Sequence, residues 1–174
     1  LFENNEKITA YMVVAPDRDT MYEMFYGSLS YSQPINSYGT NLTFSASNTN
    51  TQPGNILREV FDAKGKSHSL VARLDHPIIR NRDFNVRSNL EFDYTNSKST
   101  DNLGAPIVKD RARVLRGGGS VDFLDNVISP AYTSISVTAS IGIDIFNSTE
   151  KKQDNTTRPD SRGNEFSKLE AEVM

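Results

Sequence analysis

Hydrophobic and polar positions alternate with a period of two along most of the chain. In "FNVRSNLEFDYT", Phe84, Val86, Leu90, Phe92 and Tyr94 share one parity, and Asn85, Arg87, Asn89, Glu91, Asp93 and Thr95 share the other. In "SISVTASIGIDIF", Ile135, Val137, Ala139, Ile141, Ile143 and Ile145 oppose Ser134, Ser136, Thr138, Ser140, Gly142 and Asp144. Successive side chains of a strand project to opposite faces, so such stretches predict strands with one apolar and one polar face. The same alternation predicts strands at Lys7 to Ala15, Tyr22 to Gln33, Thr40 to Asn50, Ser67 to His76, Phe84 to Asn96, Arg111 to Phe123, Tyr132 to Phe146 and Glu165 to Met174. No stretch of helical length shows an apolar stripe at three-and-four spacing.

Strand length and loop length add to this picture. Strands of a soluble sheet average about 5 to 6 residues, whereas a tilted strand crossing a bilayer needs about 9 to 11. The two quoted stretches reach the longer value. Connections alternate between short ones that follow a proline, Pro34 to Gly39 and Pro77 to Asp83, and long polar ones, Thr51 to Lys66, Ser97 to Lys109 and Asn147 to Asn164. The linker Pro16 to Met21 is short on the long-loop side. A weak repeat, "QPINSYGTNL" and "HPIIRNRDFNV", spans two strands and two connections, which is one double crossing of a meander. Short turns on one rim and long loops on the other are the habit of an outer-membrane barrel.

The expected fold is all-β: an antiparallel up-and-down transmembrane β-barrel, or roughly eight strands excerpted from a larger one, with residues 1–174 forming a single segment. On that expectation the lipid-facing set is Leu29, Tyr31, Leu42, Phe44, Leu70, Leu74, Val86, Leu90, Phe92, Ile135, Val137, Ile141 and Ile143. The candidates for lining a wet lumen are Arg73, Arg87, Glu91, Asp93, Arg113 and Asp144, where opposite charges can balance in water. Tyr26, Tyr31, Tyr94 and Tyr132 fall near strand ends, as interfacial aromatics do. The competing expectation is a soluble exported β-rich binding or adhesin-like module whose apolar face is an inner core.

Composition sharpens the choice. Only 36% of residues are hydrophobic and mean hydropathy is -0.52, which leaves few large side chains for a conventional core. A net charge of -3 gives no reason to expect a nucleic-acid partner. With no cysteine, disulfides and thiolate metal sites are excluded. No apolar run is long enough for a membrane helix.

Candidate chemistry is sparse. His68 and His76 flank one predicted strand and are too far apart along it to share a metal. Glu91 and Asp93 share a face but stand among Asn85, Arg87 and Asn89, so a hydrated, charge-balanced wall accounts for them better than acid-base catalysis. "RGGG" at Arg116 to Gly119 lacks the Lys-Ser/Thr of a phosphate loop and is expected to bend or bulge a long strand. Asn41, Asn147 and Asn155 open common N-glycosylation triplets. No catalytic, cofactor or metal site is expected, and the chain is not expected to be an enzyme.

A set of features in order carries a family resemblance: Tyr31 and Pro34 before a turn, Gly39 opening a strand, the Pro53-Gly54 loop, Gly65 before a strand, Pro77-Ile78 with Arg80 and Arg82, and Phe92-Asp93. They resemble the first half of the barrel in the outer-membrane transporters of two-partner secretion, the haemolysin activation and secretion family. The resemblance implies a sixteen-stranded barrel preceded by periplasmic POTRA domains. It implies secretion of an unfolded partner polypeptide, typically a haemolysin, adhesin or contact-dependent toxin, through the bacterial outer membrane. Partners implied are that polypeptide, outer-membrane lipid and the rest of the barrel. The chain departs from the family by having about eight strands, no POTRA layout, and no Val-Arg-Gly-Tyr/Phe motif. "VLRGGG" at Val114 to Gly119 has Gly118 in place of the aromatic, so the family's functional arginine is not carried over to Arg116.

Overall fold

The computed structural model describes residues 5–16, 23–52, 64–100, 106–125, 131–149 and 165–174. Eight strands form one sheet in chain order: β1 (Lys7–Ala15), β2 (Met24–Pro34), β3 (Asn41–Thr51), β4 (Lys64–Arg80), β5 (Phe84–Thr100), β6 (Pro106–Asp125), β7 (Ala131–Gly142) and β8 (Ser167–Val173). Every neighbouring pair is antiparallel. Among the described residues β1 and β8 do not pair, so the sheet has two free edges.

Register turns the alternation into two surfaces, because directly opposed residues of an antiparallel pair lie on the same face. The row Tyr31, Phe44, Ala72, Phe92, Leu115 and Ile141 crosses six strands on one face. The adjacent row Ser32, Thr43, Arg73, Glu91, Arg116 and Ser140 crosses the same strands on the other. Burial is inverted relative to a water-soluble protein. Leu29 is 55% exposed, Leu70 55% and Leu90 51%, whereas Asp122 is 2% and Ser140 4% exposed. Among the described residues, the buried hydrophobic one, Val114, belongs to the polar face.

The strands depart from the sequence expectation most at β4 to β7. β4, β5 and β6 run past their expected ends to lengths of 17, 17 and 20 residues, which shortens the expected Ser97 to Lys109 connection to 101–105. β4 continues through Pro77 by a register shift between Pro77 and Ile79, leaving only Asn81 to Asp83 as the turn. A proline lacks the N-H a ladder needs, and the shift absorbs that loss. "RGGG" does not bulge: pairing runs unbroken through Gly117, Gly118 and Gly119 on both sides. The glycine at 118 instead permits close approach, since a Cβ there would lie 2.8 Å from the Val137 carbonyl oxygen and 2.9 Å from Asn89 Oδ1. Finally, β7 ends at Gly142, short of the expected Phe146.

The β2–β3 turn shows why a proline-led connection can be so short. Asn36 Oδ1 accepts the backbone N-H groups of Tyr38 and Thr40, both at 3.1 Å, and Asn36 Nδ2 donates to Thr40 Oγ1 at 2.7 Å. Gly39 adopts φ 89°, a conformation open to glycine at little cost. Thr40 Oγ1 lies 2.8 Å from His76 Nδ1, tying this turn to β4 near Pro77. The two prolines of the sequence repeat thus stand near the ends of β2 and β4 on one rim.

Candidate functional site

The polar face carries a connected set of charges. Glu91 and Asp93 are two residues apart on β5, so they point the same way, and β6 brings Arg116 opposite Glu91. Arg116 Nη1 donates to Glu91 Oε1 at 2.8 Å and to Asp93 Oδ2 at 3.2 Å. On the other flank β4 supplies Arg73, which reaches Glu91 Oε2 at 3.4 Å while holding Asp75 through Nε and Nη2 at 2.9 to 3.0 Å. Thr95 Oγ1 donates to Asp93 Oδ1 at 2.7 Å. Nearer the short turns, Arg87 pairs with Asp122, and Ser134 Oγ donates to the second oxygen of Asp122 at 2.7 Å.

Around these ion pairs lies a carpet of small hydroxyl and amide groups. Asn41 Nδ2 donates to Ser32 Oγ at 2.7 Å, Ser45 Oγ to Ser30 Oγ at 3.2 Å, and Ser67 Oγ lies 3.0 Å from Ser97 Oγ. Such a surface offers many weak, spread contacts. Its charge pairs neutralise each other.

Of the expected lumen residues, Arg73, Arg87, Glu91 and Asp93 stand together on this face. Arg113 does not, and the expectation is corrected. Its register partner is Tyr94, on the apolar face, and its guanidinium lies 3.5 Å from the Tyr94 ring centroid. The charge is tolerated there because Arg113 donates to the carbonyls of Thr95, Ala112 and Phe146 and to Asn96 Oδ1, at 2.8 to 3.2 Å, in a fully buried position. Asp144 also departs from its expected place. It lies beyond β7 in a turn, where its carboxylate accepts the Ser148 hydroxyl, so strand alternation assigns it no face. Phe146 and Asn147, with φ of 50° and 57°, turn the chain there, and the Phe146 ring meets Phe92 edge-on with centroids 6.4 Å apart.

Asp75, Arg116 and Asp122, which complete these ion pairs, were not among the sequence candidates. Arg116 is legible only once β6 is registered against β5.

The opposite wall gathers Leu29, Tyr31, Leu42, Phe44, Leu70, Leu74, Val86, Leu90, Phe92, Ile135, Val137 and Ile141 on one face. Ile143 follows β7 by one residue, and its N-H donates to the Arg113 carbonyl at 2.9 Å. Of the four tyrosines expected at interfaces, Tyr31 and Tyr94 are on this apolar wall, whereas Tyr26 and Tyr132 share the polar one. His68 and His76 are both on the apolar face of β4, about 26 Å apart along the strand. The Pro53-Gly54 loop and the Asn155 triplet lie outside the described residues.

The fold defined by these observations is an antiparallel, chain-ordered sheet with one apolar and one polar surface, consistent with a piece of a barrel wall. Over 125 residues the chain is similar to the heme/hemopexin transporter protein HuxB of Haemophilus influenzae, with 28% identity. The match covers 72% of this chain and 22% of HuxB, so the chain spans about a fifth of the length of that relative. No protein-family profile matches the chain, and no solved structure does.

Proposed function

We propose that this sheet is part of the wall of a bacterial outer-membrane β-barrel that secretes a partner polypeptide in unfolded form, in the manner of the two-partner secretion transporters. The observation that carries the proposal is the pattern of burial: Leu29, Leu70 and Leu90 on the apolar face are half-exposed, whereas Asp122 and Ser140 on the polar face are buried. A contiguous exposed apolar surface in water invites association, whereas lipid covers it at no cost. The dimensions agree. On β5 the outward residues from Phe84 to Tyr94 make an apolar band about 25 Å tall at a tilt of about 40°, the height of the lipid-facing band in such barrels. Similarity to a transporter supports the same reading.

The free edges of β1 and β8 would leave backbone donors and acceptors unpaired in lipid, at several kcal/mol for each group, so further strands must complete the wall. In the completed barrel the Arg73, Glu91, Asp93 and Arg116 network lines the conduit. Its role is to keep the wall wet and weakly adhesive, and no bond is made or broken there. An extended chain passes because no single contact holds it.

The test is membrane behaviour followed by secretion. The whole protein should resist alkaline extraction from outer membranes, need detergent for purification, and restore export of its partner to a strain lacking it. A protein that purifies monodisperse without detergent would refute the barrel reading and favour a soluble exported module.

A further inference from the structure

On β3 to β6 the apolar face ends abruptly on the long-loop side. Above the row Leu29, Ala46, Leu70 and Tyr94, the next row on that face is Gly27, Asn48, His68, Asn96 and Arg111. The one beyond it is Phe25, Asn50, Lys66, Lys98 and Lys109. Lys66 is registered directly against Lys98, and Lys98 directly against Lys109. All three are exposed, and none has an ion-pair partner among the described residues. Lys64 continues the same face, and the described residues of β3 to β6 above the Leu70 row place no Asp or Glu on it.

Like charges directly opposite on neighbouring strands repel, so three in a row work against the sheet unless a counter-charge is supplied. The short-turn end of the same face has no such cluster: it carries Gln33, His76, Phe84 and Phe123. The asymmetry singles out one leaflet. The lysine row stands four residues above Tyr94, about 10 Å higher at a tilt of about 40°, within the headgroup layer once lysine side chains reach down. Long loops of outer-membrane barrels face outward, so that leaflet is the outer one.

We propose that Lys66, Lys98 and Lys109 form a binding row for the phosphate groups of an anionic lipid of the outer leaflet, with Arg111 one row below. The proposal rests on the barrel reading above and adds a specific lipid chemistry to it. Three ammonium groups at neighbouring-strand spacing match a headgroup bearing more than one phosphate better than a single zwitterion, whose own cation would meet the row. Arg113, clamped on Tyr94 beneath Phe146, fixes the platform and does not reach the lipid.

The test uses the whole protein in neutral detergent, titrated with fluorescent diphosphoryl lipid A, with the same lipid stripped of its phosphates, and with inorganic pyrophosphate as competitor. Diphosphoryl lipid A should bind at least about ten-fold more tightly than the dephosphorylated form, and K66Q/K98Q/K109Q should remove that advantage. Pyrophosphate should compete only weakly, and added salt should lower the affinity for the phosphorylated lipid. Equal binding of both lipids to the unaltered protein would overturn the proposal without any variant. Retention of the advantage in the triple variant, or full competition by pyrophosphate, would overturn it as well. In parallel, insertion into phosphatidylcholine vesicles reports on the barrel itself. Failure to insert into any vesicle overturns the barrel reading and this proposal together, whereas insertion without lipid discrimination overturns the lysine row alone.

Discussion

Placing a charge at Leu90 separates a lipid-covered surface from a water-covered one. Leu90 is on β5, registered between Leu74 on β4 and Gly117 on β6. The outward band on β5 runs from Phe84 to Tyr94, so its centre falls at residue 89 and Leu90 is about 2.5 Å from the midplane. Leu90→Arg should therefore destabilise the barrel by about 2 to 4 kcal/mol in lipid. The matched control is His68→Arg on the same face. His68 is six residues from Leu74 along β4, about 15 Å from the Leu90 level, outside the apolar band, where an arginine costs about 0 to 1 kcal/mol. The measurement is reversible urea unfolding in phosphatidylcholine vesicles, read by tryptophan-free far-ultraviolet circular dichroism. If the apolar face met water instead, a half-exposed leucine could be replaced by arginine within about 0.5 kcal/mol. Equal stabilities of the two variants would refute the assignment of the face to lipid.

Four further outcomes follow from the polar wall and the turns. Replacing Glu91 and Asp93 with Gln and Asn should shift the reversal potential of the assembled pore under a salt gradient towards anion selectivity and leave secretion largely intact, since hydration of the wall survives. Arg116→Met removes the cation between the same two carboxylates and should shift selectivity with the opposite sign, by the same electrode measurement. Gly118→Val forces a side chain against the Val137 carbonyl and should cost about 1 to 3 kcal/mol in the urea assay. Asn36→Ala removes the acceptor of two turn N-H groups and should cost about 1 to 3 kcal/mol at net hydrogen-bond values, read in the same way.

The strands and their faces were legible because period two survives wherever one face meets a different medium from the other. β1 matches its expected limits, Lys7 to Ala15, and the Phe84 to Tyr94 alternation became one wall and its reverse. Legibility failed where that contrast disappears. Lys64 to Lys66, Ser97 to Thr100 and Lys109 to Asp110 lack large apolar residues at either parity, so nothing in their pattern marks them as strand, and only the ladder shows it. "RARVLRG" failed for the opposite reason, with Val114 on one face and Leu115 on the other. The arginines at 113 and 116 are three residues apart and must point oppositely, but which one faces the acids depends on β5. At Ile143 and Ile145 the alternation outlasts the strand: β7 ends at Gly142, and the chain then turns at Phe146 and Asn147 through left-handed backbone that sequence spacing does not reveal.

Pairing each strand only with its neighbour in sequence has a kinetic meaning. Joining β4 to β5 requires closing the three-residue turn Asn81 to Asp83, after which a ladder of 17-residue strands can zip from the turn outward. Closure entropy rises slowly with loop length, so every later hairpin adds to a growing edge at modest cost, and no distant segments have to find each other first. The long strands β4 to β6 are then the natural nucleus, and the short terminal strands β1 and β8 are the last to lock. For the proposed barrel, assembly is then a sequence of local additions, and the one long-range event left is the joining of its first and final strands around the ring.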